Sequence, residues 1–265
     1  MKQDKFLILS NESISEVVDS RICRKHLFSN FYGIDYSNTS LFITDNSLFL
    51  SKDFGEFSRV YILSNDKDEI VNILSKLSPN SVINIPSRKG INDWSQVFDK
   101  SGYKQIALYH RYIYRKYPQR RSKKLEFAKE SDHSQISNFL KKYFSPITGH
   151  LPSDEELLKL IINRNVLVNR GSGHKVNGAL CFSIENKKCY LAFWFDESGM
   201  GLSLLNNVFS ICTENDIKTI SFWVNDENVD VMKIHALFGA LPDGMKDYVF
   251  NNKISQDGRK SIGDN

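Results

Sequence analysis

The most informative stretch of the sequence is Phe195-Asp196-Glu197-Ser198-Gly199-Met200-Gly201-Leu202, because an apolar strand leads directly into two spaced glycines and then an apolar helix. The glycines at 199 and 201 let the backbone approach a ligand closely. The helix, predicted over residues 202–211, presents unpaired N–H groups and the positive end of its dipole. This pattern is typical of a diphosphate site, and it also occurs in a plain strand-to-helix turn.

Composition indicates a globular chain with two domains. The chain has 265 residues, of which 41% are hydrophobic and 25% are charged, so it can form packed cores. Its net charge of +4 comes from basic residues that are spread along the sequence, so a nucleic-acid partner is not indicated.

The cysteines and the N-terminus bear on metal binding and on the cellular location of the protein. Cys23, Cys181, Cys189 and Cys212 have no C-x-x-C spacing, which predicts free thiols and no metal site. Residues 1–10 contain too short an apolar run for a signal peptide, and no run approaches the length of a membrane span. We therefore predict a cytoplasmic protein without a membrane partner.

A polar basic segment, Arg115 to Lys124, contains one proline and almost nothing apolar to bury. It predicts a solvated linker, and a basic patch that steers a phosphorylated ligand is the alternative. We predict a first domain over residues 1–117, a linker over 118–124, a second domain over 125–254 and a disordered tail over 255–265.

The second half predicts the order β-α-α-β-β-β-α-β-α-β. Ser131 or Asp132 and Ser153 resemble helix caps, and Glu185-Asn186-Lys187 resembles a hairpin turn. The first half repeats this plan less clearly, with strands near 41–44, 47–51, 59–63, 81–85 and 105–114 and helices near 68–77 and 93–100. Its turn Ser64-Asn65-Asp66-Lys67 has no glycine, which predicts a copy that binds no diphosphate.

Two motifs resemble those of the GCN5-related N-acetyltransferases (GNATs), which transfer an acyl group from acyl-coenzyme A to an amine. The family's loop Q/R-x-x-G-x-G/A matches residues 196–201, with Asp196 in place of Gln or Arg. The family's later segment N-x-x-A-x-x-x-Y-x-x-x-G-F is matched by Asn228, Val231, His235, Gly239 and Ala240. The resemblance covers residues 124–253, and over 6–116 it extends only to the order of elements.

The resemblance implies an α/β fold with two GNAT-like domains in tandem, each a mixed, mostly antiparallel sheet flanked by helices, of which the first is degenerate. It implies acetyl-coenzyme A or another acyl-coenzyme A as co-substrate, and no metal. The strand before the loop and the strand after its helix are expected to splay at the coenzyme. The residues expected to bind it are Phe193, Trp194, Phe195, Ser198, Gly199, Met200, Gly201, Leu202 and Asn228.

Two residues are catalytic candidates. His235 stands where the family often has a tyrosine that acts as general acid, and an imidazolium there would protonate the departing thiolate. A histidine that only packs in or on its helix is the alternative. Glu197 is a candidate base acting through water, and a solvated loop charge is the alternative.

The acceptor is expected to be an amine of a small molecule or peptide, and the sequence leaves a homodimer open. Two other functions compete with acyl transfer from coenzyme A. One is a non-catalytic binding protein of the same fold, which Asp196 and Ala240 favour. The other is a tandem transferase that uses aminoacyl-tRNA, for which the basic linker is the argument.

Overall fold

The computed structural model describes residues 7–8, 11–22, 26–31, 36–118 and 125–252. These residues fall into two compact units: unit 1 is drawn from residues 1–108 and 246–265, and unit 2 from residues 109–245. Most of the predicted linker (119–124), the tail (255–265) and Cys23 lie outside the described residues. The predicted domain boundaries therefore stay a prediction.

The strands of unit 1 are β1 Leu7–Ile8, β2 Phe28–Ser29, β3 Thr39–Ile43, β4 Ser47–Asp53, β5 Ser58–Ser64, β6 Ser81–Ser87 and the later part of β13 Leu241–Asn251, and the helices are α1 Asn11–Ile22, α2 Lys67–Leu74 and α3 Asn92–Lys100. The strand order is β1-β3-β4-β5-β6-β13, with the short strand β2 paired to β5. All of these pairs are antiparallel except β5 with β6.

Both faces of the unit 1 sheet are covered, and β4 shows why its sequence is apolar throughout. Leu48 and Leu50 pack with Ile14 and Val18 of α1. Phe49, between them, packs on the opposite face with residues of α2 and α3. Side chains alternate between the two faces of a strand, so a strand covered on both sides reads as a continuous hydrophobic run.

The chain passes between the units within two long strands. Strand β7 (Lys104–Tyr114) begins in unit 1, and its residues 109–114 pair with β12 (Thr219–Asn225) in unit 2. Strand β13 (Leu241–Asn251) begins in unit 2, and its residues 246–251 pair with β6 in unit 1. Unit 2 therefore begins with the C-terminal part of β7, and unit 1 is completed by the C-terminal part of β13.

Unit 2 has the strand order β7-β12-β11-β10-β9-β8, in which β11 and β12 are parallel and the other pairs antiparallel. The strands are β8 Glu126–Phe127, β9 Val166–Arg170, β10 Val176–Glu185, β11 Lys188–Asp196 and β12 Thr219–Asn225, and the helices are α4 His133–Tyr143, α5 Pro146–Gly149, α6 Asp154–Ile162, α7 Gly201–Glu214 and α8 Val229–Leu237. Short 3₁₀ turns lie at Glu130–Asp132, between β8 and α4, and at Ser172–His174, between β9 and β10.

The unit 2 core also has two sides. Helices α4 and α6 pack on Val166, Val168 and other residues of one sheet face. Helix α7 packs on Leu180, Phe182 and their neighbours on the other face. The free thiols Cys181, Cys189 and Cys212 are all buried in these cores.

The expected fold class, a mixed and mostly antiparallel sheet flanked by helices, is confirmed. Ser153 caps α6 through a capping box with Glu156, as its sequence predicts. Asn186 and Lys187 form the predicted β10–β11 turn with φ values of 48° and 59°. Helix α1 and the short helix α5 were not predicted, because neither segment shows a strong apolar period.

Candidate functional site

The loop between β11 and α7 ends in a set of backbone donors. Gly199 adopts the left-handed region with φ of 74°, and α7 begins at Gly201. The Met200 amide donates to Ser198 Oγ at 3.3 Å. Within the described parts of the chain, the amides of Gly199, Gly201 and Leu202 find no acceptor. Three donors therefore gather at the positive end of a 14-residue helix, which is a suitable place for an anion.

Strands β11 and β12 separate beside this loop. Their parallel ladder runs only from Lys188↔Thr219 to Leu191↔Phe222. Strand β11 nevertheless stays paired with β10 as far as Asp196↔Gly178. The alternate backbone groups of residues 192–196 that point away from β10 consequently have no strand partner, as the resemblance leads one to expect. The opening leads to the amides of the loop.

A bulge sets the side-chain directions at this opening. The β10–β11 register shifts between Cys181 and Phe182, which face Phe193 and Leu191, so Ala192 is the extra residue. Phe193 then packs on Phe144, with ring centroids 5.2 Å apart, and Phe195 packs on Phe139 at 4.9 Å. These two side chains belong to the α4 side of the core, so only their backbone groups remain for a ligand.

Trp194 points to the other side, toward α7 and α8. A Cβ placed on Gly201 would lie 3.1 Å from the Trp194 ring, so the indole packs directly against the start of α7. The same ring meets the imidazole of His235 edge-on at 5.4 Å. A side chain at 201 would therefore press on Trp194, so packing favours glycine here, as would any close approach of a ligand.

His235 is buried, with 3% of its surface exposed. Its Nδ1 is 2.7 Å from the hydroxyl of Tyr114, and its ring lies 4.0 Å from that of Phe222. Burial lowers the pKa of His235 to about 4. The imidazolium expected from the sequence is therefore not the form present at neutral pH. Since Tyr114 occupies Nδ1, Nε2 is the ring nitrogen left for a ligand.

Glu197 is held by two residues of α4. Its carboxylate accepts from Lys142 Nζ and from the Tyr143 hydroxyl. The hydrogen bond from Lys142, followed by that from Tyr143, lowers the pKa of Glu197. A carboxylate with a lowered pKa is a weaker base, so this environment disfavours the base role expected from the sequence.

Asp196, the departure from the family loop, is part of a polar network. Its Oδ1 accepts from Asn169 Nδ2 and, at 2.9 Å, from Ser198 Oγ. A Cβ placed on Gly178 would lie 2.3 Å from this oxygen, so any other residue there would displace the Asp196 side chain. Ser198 in turn accepts from Met200, and the chain of contacts orders the loop. Asp196 is half-buried, and its carboxylate is therefore held by partners within the chain.

Asn228 caps α8, with its Oδ1 accepting from the Val231 amide at 3.3 Å. The structure therefore gives this expected coenzyme ligand a local structural contact. Sequence reasoning missed Tyr114 and Asn169, the partners of His235 and Asp196. They lie 121 and 27 residues from these partners, and neither stands in a motif.

Within the described residues, no group of three or more His, Cys, Asp or Glu side chains is placed to hold a metal ion. Among the helices of the described ranges, none has both the length and the apolar character needed to cross a membrane.

Comparison with solved structures identifies the fold. An acetyltransferase of the GNAT family from Colwellia psychrerythraea aligns with a TM-score of 0.58 and 12% identity, over 94% of this chain and 98% of its own. A GCN5-related N-acetyltransferase from Sphaerobacter thermophilus aligns with a TM-score of 0.57 and 11% identity, over 91% and 86%.

A tandem GNAT protein from the clavulanic acid biosynthesis pathway aligns with a TM-score of 0.51 and 10% identity, over 83% of this chain and 85% of its own. No protein-family model and no curated protein matches the sequence. At these identities the likeness shows the fold alone, and that fold is the one shared by the GNAT acetyltransferases.

Proposed function

We propose that the chain is an N-acyltransferase that takes an acetyl or other acyl group from acyl-coenzyme A and that unit 2 holds the coenzyme. One observation carries this proposal: the β11–β12 opening lies next to the amides of Gly199, Gly201 and Leu202. A diphosphate requires such donors, and an extended arm requires such an opening. The GNAT fold supports the same reading.

Acyl transfer from a thioester to an amine requires few side-chain groups of the protein. The bound thioester supplies an activated carbonyl carbon; an amine nitrogen attacks it, the C–S bond breaks, the amine loses a proton and the thiolate gains one. Donors in the opening would polarise the carbonyl oxygen. We assign that role to those backbone N–H groups of residues 193–195 that point away from β10, because their strand partner β12 has separated from β11.

His235 enters this proposal as a neutral hydrogen-bond donor. If the Tyr114 hydroxyl donates to Nδ1, the remaining proton sits on Nε2 and can be offered to the departing sulfur. Glu197 is assigned to the tether between the loop and α4. The base is then water or a group of the acceptor, which we propose to be an amine of a small molecule or peptide in the cytoplasm.

Matched glycine variants test the coenzyme site. Gly199 and Gly173 have φ values of 74° and 75°, and a Cβ on either would meet nothing within 4 Å. A side chain at either position therefore costs about 1 kcal/mol of backbone strain. Only Gly199→Glu adds a carboxylate beside the proposed diphosphate. It should weaken the binding of acetyl-coenzyme A about tenfold or more, which is equivalent to ~1.4 kcal/mol. Gly173→Glu should leave this affinity unchanged.

Free-thiol release with a panel of amines should then be lost in Gly199→Glu and retained in Gly173→Glu. Equal affinity in both variants would contradict the coenzyme site. Binding without any thiol release would instead favour the second candidate, a non-catalytic binding protein of the same fold. The burial of His235 and the ion pair of Glu197 are the observations in its favour.

A further inference from the structure

Unit 1 contains the same kind of opening as unit 2. In unit 1 the order β5-α2-β6-α3 repeats the order β11-α7-β12-α8 of unit 2. The parallel ladder of β5 and β6 has only two pairs, Ser58↔Ser81 and Arg59↔Val82. Beyond Arg59 the two strands separate, and their facing backbone groups need other partners.

The segment Leu27 to Asn30 supplies these partners. Strand β2 pairs with the free part of β5, with Phe28 opposite Ser64 and Ser29 opposite Leu63. The Asn30 amide then donates to the carbonyl oxygen of Ile62 at 3.2 Å. A piece of the chain thus continues the sheet where β6 has turned away from β5.

The side chain of Asn30 bridges the two separated strands. Its Oδ1 accepts from the Ile62 amide at 2.6 Å. Its Nδ2 donates to the carbonyl oxygens of Val60 in β5 and Asn84 in β6, each at 3.0 Å. Only 4% of Asn30 is exposed. One amide group therefore satisfies buried backbone groups on both sides of the opening.

At the start of α2, the helix that follows β5, backbone amides are already hydrogen-bonded within the chain. Oδ1 of Asp66 accepts from the amides of Asp68 and Glu69 at 2.9 and 3.1 Å. Asp68 is the second residue of α2, as Leu202 is of α7, and in α2 a carboxylate of the chain already occupies this amide. The two acidic side chains that carry these amides further repel an anion.

Phe28 anchors the segment in the core. Its ring lies 4.6 Å from that of Trp94 and 5.8 Å from that of Phe98, both in α3. The Leu27 amide donates to Asn65 Oδ1 at 2.9 Å, which links the segment to the turn before α2. The segment is held by side chains at both ends and by backbone pairing between them.

We infer that residues 27–30 are an internal ligand of unit 1, bound in a cleft that accepts an extended chain bearing an amide group. Unit 1 depends on this segment for its fold and takes no coenzyme. On the proposed function of unit 2, the chain binds one acyl-coenzyme A.

Hydrogen exchange of the intact protein tests the inference without any ligand. The Ile62 amide should exchange as slowly as amides within the β4–β5 ladder. In Asn30→Ala it should exchange about tenfold faster or more, because its acceptor is gone. Asn72→Ala, an exposed change on α2 of the same unit, is the matched control and should leave Ile62 unchanged.

The outcomes separate the two proposals. Fast exchange at Ile62 in the wild type, or no change in Asn30→Ala, would overturn the internal ligand. If Asn30→Ala fails to fold, the wild-type exchange rate still decides. Calorimetry with acetyl-coenzyme A should give one equivalent per chain; two equivalents, with Ile62 becoming more exposed on binding, would overturn the inference. No binding at all would count against the proposed function only, since the exchange of Ile62 does not depend on it.

Discussion

The buried carboxyl of Asp247 in unit 1 should make that unit less stable as the pH rises. Asp247 is 7% exposed, and its Oδ2 accepts from Asn84 Nδ2 at 2.8 Å. Its Oδ1 finds no partner among the described residues. Burial, opposed by the hydrogen bond from Asn84 and the charge of Arg59, raises the pKa of Asp247 to about 6.

The size of the effect follows from linkage. The pKa of this carboxyl is 3.8 in the unfolded chain and about 6 in the folded protein. A raised folded pKa gives stability that is fully present below the unfolded pKa and is lost as the pH rises through the folded one. The difference between these two pKa values corresponds to about 3 kcal/mol. Asp247→Asn, which resembles the protonated acid, should therefore match the wild type near pH ~4 and exceed it by about 3 kcal/mol near pH ~8.

The assay is urea unfolding at several pH values, read by a brief hydrogen-exchange pulse at one fixed pH and mass spectrometry of peptides from β5 and β6. Taking the difference between variant and wild type cancels every other titrating group. Asp99→Asn is the matched control, because the Asp99 carboxylate is half-exposed in an ion pair with Lys104. It should change stability by about 0.5 kcal/mol or less. A stability difference between Asp247→Asn and the wild type that stays constant with pH would show that the pKa of Asp247 is not raised in the folded protein.

Two further predictions concern unit 2. The lowered pKa of His235, about 4 against a usual 6.5, gives stability that is present above pH 6.5 and is lost as the pH falls through about 4. Urea unfolding, followed by hydrogen exchange in peptides of α7, should therefore show a smaller loss of stability in acid for His235→Phe than for the wild type. An equal loss in both would contradict the buried neutral imidazole. Gly178→Ala should destabilise unit 2 by about 1–3 kcal/mol, because the Cβ of the new alanine would lie 2.3 Å from Asp196 Oδ1. Thermal unfolding measures this loss. Gly173→Ala is the control, since it adds backbone strain at a positive φ without a clash.

Local patterns predicted most of the elements and their order. The hairpin at Asn186 and the cap at Ser153 depend on neighbouring residues, so the sequence carries them directly. The glycines at 199 and 201 predicted both the turn and the start of α7. The opening of β11 and β12 followed from the family resemblance, and the ladder ends where that resemblance implies.

Long-range contacts were beyond sequence reasoning. Asn30 stands next to a strand of two residues, and its partners in β5 and β6 lie 30 to 54 residues away. The state of His235 depends on Tyr114 and on burial, which no local pattern reports. Strand β13 follows α8 in sequence, yet its residues 246–251 pair with β6, because strand pairing is decided by the folded sheet.

The proposed function depends on the unpaired backbone amides at the start of α7 binding the diphosphate of acyl-coenzyme A. The amide chemical shifts of these residues, followed during a titration with acetyl-coenzyme A, are the decisive measurement. We predict that the resonances of Gly199, Gly201 and Leu202 move together in a saturable way, while that of Gly173 stays in place. Resonances at 199, 201 and 202 that remain fixed at millimolar coenzyme would contradict a diphosphate site at these amides.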